Sequence, residues 1–131
     1  MKKIVIAGSA KFVDEINNWK DYFETKGYDV IEYTQNIDQT DLDVYSKRHK
    51  SFFKALNETD ELFIVNGEKN GIKGYVGSEV FAELSFVIAN NIINNDNKKV
   101  YLLNMPGEEL KSYFELNTFL KLGYIQLWNK D

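Results

Sequence analysis

Runs of consecutive apolar residues alternate with helical spacings along the whole chain. Lys3 to Ala7 (KIVIA) is a short apolar run, the pattern of a strand buried on both faces. Val13 to Lys26 places Val13, Ile16, Trp19 and Phe23 three and four apart, which predicts a helix that Gly27 ends as a cap. Asp29 to Tyr33 (DVIEY) reads as a second strand, followed by a polar connection from Thr34 to Thr40. From about Asp41 to Glu58, Leu42, Tyr45, His49, Phe52, Phe53 and Leu56 make one stripe of a second helix. Glu61 to Asn66 (ELFIVN) is a third strand, and GEKNGIKG (67–74) a flexible loop. A helix is expected from about Ser78, as its cap, to Asn90 or a little beyond. After a polar turn at 94–99 come a fourth strand (Val100 to Leu103), Pro106, a broken helical stretch (107–122) and a fifth strand (Tyr124 to Trp128).

Five alternations of strand and helix imply a mainly parallel sheet covered on both faces. Right-handed crossovers leave few ways to connect it, and a flavodoxin-like α/β three-layer sandwich with strand order 2-1-3-4-5 is expected. At 131 residues there is room for one domain, 1–131, with one core. In such sheets ligands bind beyond the carboxyl ends of the strands, where the strand order reverses. That rule directs attention to the loops after strands 1 and 3.

Composition removes several classes of function. There is no cysteine and a single histidine, which excludes a disulfide scaffold, a thiolate zinc site, a cysteine nucleophile and a two-histidine metal motif. No metal or other cofactor is expected. The net charge of -4 argues against a nucleic-acid partner, and the basic run Lys47-Arg48-His49-Lys50 reads as a solvated helix face. The apolar run at the N-terminus is too short for a secretory signal, and no stretch approaches a membrane span, so a cytoplasmic protein without a membrane partner is expected. Aromatic residues, 15% of the chain, suit a dense core, an oligomer interface or a stacking site for a flat ligand.

The loop after strand 1 is Gly8-Ser9-Ala10-Lys11-Phe12. It reads either as a tight strand-to-helix turn or as a cradle for a phosphate or sugar hydroxyl. It has neither the glycines of a nucleotide P-loop nor those of a dinucleotide fingerprint. After strand 3, Val80, Leu84, Val87 and Ile88 form the buried stripe of the next helix. Glu83 falls at the edge of that stripe and Glu79 further toward solvent. A carboxylate at an apolar margin, near the start of a helix that faces the ligand edge, is a candidate acid or nucleophile; its bland alternative is a peripheral glutamate favoured by the helix dipole. His49 is read first as a packed or interface histidine and only secondarily as catalytic. Lys69 and Lys73 either meet a phosphate or keep their loop soluble.

At these positions the chain resembles the nucleoside 2-deoxyribosyltransferase family. The resemblance is carried by Ala7-Gly8 with Phe12, by Asp60 through Asn66, by Gly77-Ser78-x-x-x-Ala82-Glu83-Leu84, and by Lys99 through Leu103, in the family's order over roughly residues 3 to 104. It implies cleavage of the N-glycosidic bond of a 2-deoxynucleoside or deoxynucleotide, by transfer of the sugar or by hydrolysis, in a homo-oligomer of two or more copies. It makes Glu83 the nucleophile that forms a covalent glycosyl ester and gives Asp60 a supporting catalytic role. It places Gly8, Ser9, Phe12, Asn66, Tyr75, Gly77 and Ser78 around the substrate, with Phe12 or Tyr75 stacking on the base. Val76 stands where active members often carry an aspartate, and Ser9 where they carry a proline. The alternative is a module of the same fold that holds a nucleotide without turning it over. Of other flavodoxin-like functions, a phosphoacceptor receiver lacks its acidic pair after strand 1, while a flavin carrier would be coloured.

Overall fold

A computed structural model describes residues 1–129. The elements follow the order β1 (Lys3–Gly8), α1 (Val13–Thr25), β2 (Asp29–Tyr33), α2 (Leu42–Glu58), β3 (Glu61–Val65), α3 (Ser78–Asn94), β4 (Lys99–Leu102), α4 (Tyr113–Leu122) and β5 (Gln126–Leu127). The five strands pair in parallel in the order 2-1-3-4-5. The fold is therefore the α/β sandwich that the alternation predicts. No helix of the described residues is long and apolar enough to cross a membrane.

Pleating divides the strands between two faces. Ile4 and Ile6 of β1 and Phe63 and Val65 of β3 meet Ile16 and Phe23 of α1. Val5, Ala7, Leu62 and Ile64 point the other way, against Phe52 and Leu56 of α2 and Val80, Leu84 and Val87 of α3. β3 is central and buried at every position, which explains its continuous apolar run. Only one helix covers the first face. The rest of it is closed by rings, with Trp128 set edge-on to Phe63 and Tyr101 at centroid distances of 5.4 and 5.5 Å.

Three local expectations change. The strip 67–74 is not a loose loop. Lys69 and Ile72 exchange two backbone hydrogen bonds of 3.0 Å, and Asn70 and Gly71 between them both have positive φ. Asn-Gly at the centre of a two-residue connection is the hairpin signature of a type I′ turn. Second, Gly77 rather than Ser78 occupies the N-cap of α3, and no side chain caps it. Third, the stripe of α2 is core only in its second half. Leu42 is 77% exposed and His49 is exposed, whereas Phe52 and Leu56 are buried. The first half of α2 projects past the sheet and borders open space.

Candidate active site

That open space is a cleft of about 600 Å³ over the carboxyl ends of β1, β2 and β3, within the size range of small-molecule sites. Its floor is the loop after β1. Gly8 is required there on packing grounds, because a Cβ would lie 2.8 Å from the Val65 carbonyl and 3.2 Å from Ile16. Ser9 caps the 3-10 turn at Ala10–Phe12, its Oγ accepting from the Lys11 amide at 3.3 Å.

The hairpin after β3 lays Lys69 across this floor. Lys69 Nζ donates to Ser9 Oγ at 2.9 Å and sits 5.1 Å from the centre of the Tyr75 ring. No carboxylate pairs with it among the described residues. The cleft thus holds an ammonium group steadied by a hydroxyl and a ring face, with its charge uncompensated by any acid.

α3 supplies the opposite charge. Glu79 and Glu83, on its first two turns, both line the cleft with Gly77 and Ser78. Glu83 is half-buried and has no side-chain hydrogen bond or ion pair among the described residues. Burial, and then the nearby charge of Glu79, push its carboxyl up to about 8. Tyr45 of α2 donates its hydroxyl to Glu79 Oε1, and that hydrogen bond, then burial, raise the phenol above its ordinary range. The Tyr45 ring stacks on His49 at 5.6 Å, and His49 meets Phe53 edge-on.

The far wall is the 34–39 connection together with Arg48. Arg48 is anchored by Glu32 Oε1 at 2.6 Å and by the Tyr33 carbonyl at 3.2 Å. Ser51 donates to the other Glu32 oxygen at 2.7 Å.

Of the residues singled out in the sequence, Gly8, Ser9, Tyr75, Gly77, Ser78 and Glu83 meet at this cleft. Three do not. Asp60 precedes β3 and so lies at the amino edge of the sheet, where its Oδ2 accepts the Lys3 amide at 2.8 Å. A parallel strand sends the residue before it to the edge opposite the cleft, so Asp60 lies away from the residues that line it. Phe12 is buried in the α1 face, with its ring against Gly67. Asn66 is fully buried and bonded to Asn104. Sequence reasoning also missed Tyr45, Arg48 and the 34–39 connection, and took Lys69 as a choice between two roles. Only the Asn70-Gly71 pair, which fixes where Lys69 points, carried a local signal.

A parallel α/β domain with a charged cleft at the carboxyl edge of its sheet defines a class of small-molecule site, and comparison with solved structures narrows its fold. The chain is similar to the Clostridium botulinum CMP N-glycosidase BcmB, with a TM-score of 0.58 and 18% identity over 98% of this chain and 91% of that one. It is also similar to CapF, solved with the inhibitor 3-isopropenyl-tropolone, with a TM-score of 0.53 and 16% identity over 95% of this chain and 30% of that one. These likenesses are of fold, and they agree at that level with the resemblance to the nucleoside 2-deoxyribosyltransferases. No protein-family model matches the chain, and no curated protein matches it in sequence.

Proposed function

We propose that the cleft binds a 2-deoxynucleoside or its 5′-monophosphate and that Glu83 breaks the N-glycosidic bond by attacking the anomeric carbon. The observation that carries this reading is the state of Glu83: withdrawn from water, facing the cleft, and without a cation. The transition state of glycosyl cleavage resembles an oxocarbenium ion, a positive charge on the sugar. A carboxylate in a poorly solvated wall attracts that charge more strongly than a solvated one. It then traps the sugar as a glycosyl ester, which water or a second base resolves. The similarity to a CMP N-glycosidase supports cleavage at this type of bond. Lys69 over Ser9 is where a 5′-phosphate would find a charge-assisted donor.

The test is incubation of the purified protein with 2-deoxynucleosides and their 5′-monophosphates, with and without an acceptor base, beside Glu83→Gln. The expected result is release or exchange of base by the wild type and a loss of at least about a thousandfold in the variant. A folded wild type that yields no product from any substrate would replace this reading with a nucleotide-binding module, detected instead as thermal stabilisation by ligand.

A further inference from the structure

Cleavage by Glu83 leaves one task unassigned, because the departing base needs a proton and Asp60 stands at the other end of the sheet. We propose that Glu79, held by Tyr45, is the acid and base that works opposite Glu83. The inference rests on the glycosyl reading above.

Glu79 and Glu83 are four residues apart on α3 and therefore neighbours on one helix face, with Cβ atoms about 5–6 Å apart. Both line the cleft. Tyr45 reaches from α2 to donate to Glu79 Oε1, while Oε2 has no partner among the described residues. The stacking of Tyr45 on His49 holds the phenol in place. The other charged and titratable groups of the cleft are Lys11, Asp38, Arg48, His49, Lys69 and Tyr75. Arg48 is committed to Glu32 and Lys69 to Ser9, and neither glutamate of α3 has an ion pair among the described residues. In the free protein the proton that the cleft retains sits on Glu83; with substrate bound it passes to Glu79, its neighbour one turn away.

Each step balances with that one proton. In the first, a Glu83 oxygen bonds to the anomeric carbon as the bond to the base nitrogen breaks. The bonding pair leaves with the base, which takes the proton from Glu79. In the second, water attacks the anomeric carbon and gives a proton to Glu79 as the ester bond to Glu83 breaks. Glu79 ends protonated and Glu83 ionised, as they began. When a second base is the acceptor, its N–H proton takes the same route.

The test compares the wild type with Glu79→Gln and Tyr45→Phe on two leaving groups, in the first turnover. One substrate is an ordinary purine 2-deoxynucleoside, or its monophosphate if that is the form cleaved. The other is its N7-methylated counterpart, whose base departs neutral without taking a proton. Glu79 is exposed, so its replacement leaves the fold intact. We expect Glu79→Gln to slow the ordinary substrate by about a hundredfold or more and the methylated one by less than about fivefold, with Tyr45→Phe showing the same selectivity at smaller size. The pH profile adds a second readout. Wild-type activity on the ordinary substrate falls on the alkaline side, where the acid has lost its proton, and the variant loses this alkaline fall. A lone ionised nucleophile would instead gain activity through the same range. Equal rates for Glu79→Gln and wild type, or equal losses on both leaving groups, would overturn the assignment while Glu83 keeps its role. A wild type inert toward every substrate would remove both.

Discussion

Glu32 and Glu83 both lie at the carboxyl edge of the sheet, and the protein treats them in opposite ways. Glu32, at the end of β2, is 7% exposed and fully engaged, accepting from Arg48, Ser51 and the Tyr33 amide. Glu83, one wall of the cleft away, is half-buried and engaged with nothing among the described residues. A buried carboxylate with a full set of donors has its desolvation offset by them and serves the fold. One left bare carries a standing electrostatic penalty, and a small domain keeps such a group where a ligand supplies the missing charge. The contrast separates an acid whose donors are all supplied by the fold from one left for a ligand to meet, which is the role proposed for Glu83.

The two glutamates should therefore fail differently when changed to glutamine. Glu83→Gln should remove activity, as above, and leave the fold untouched. Glu32→Gln should destabilise by about 2 kcal/mol, below the range for fully buried pairs because Arg48 is partly solvated, read as the urea midpoint at neutral pH. If Glu32→Gln proved neutral in stability, the distinction would collapse. The pH dependence of stability sharpens it further. Folding raises the Glu83 carboxyl from 4.5 to about 8, so the native state holds a proton that the unfolded chain has released. Stability contributed by that proton is complete below pH about 4.5 and is lost as the pH rises toward 8. Glu83→Gln should raise the Tm by about 5 °C at pH 8.5 and by nothing at pH 4. A gain of the same size at both would mean that the site is simply better packed with an amide. The smallest effect belongs to Asp60→Asn at the amino edge, which should leave kcat/KM unchanged and cost no more than about 1 kcal/mol through the weakened bond to the Lys3 amide. A loss of activity there would restore Asp60 to the mechanism.

The fold was legible because its information is local. Each strand is a short apolar run, each helix carries its own period, and parallel connection follows from their alternation. The lining of the cleft was legible where one short segment fixes its own position, as Gly8-Ser9 and Gly77 through Glu83 do. It was misread where the direction of a strand mattered more than its composition. Asp60 matched a motif, yet a residue placed before β3 must lie at the amino edge. Phe12 and Asn66 look like ligand contacts in a list of loop residues, but each satisfies the core. Tyr45 and His49 were hidden for the reverse reason. Their spacing continues the apolar stripe of α2, and nothing local says that the sheet ends beneath them. The pairing of Tyr45 with Glu79 spans 34 residues and has no trace in sequence spacing.

Asn66 has a consequence of its own. Its side chain donates to the Asn104 carbonyl at 2.7 Å and accepts the Asn104 amide at 2.9 Å, while the Asn104 side chain returns a bond to the Asn66 carbonyl at 3.0 Å. β3 and β4 thereby stay joined one residue past the end of β3 and two past the end of β4, by side chains standing in for backbone. In hydrogen-exchange terms, the Asn104 amide, bonded to a buried side chain, should be a slow exchanger beyond the strand ends. The carboxyl edge of the sheet is thus pinned at the point from which the Lys69 hairpin departs.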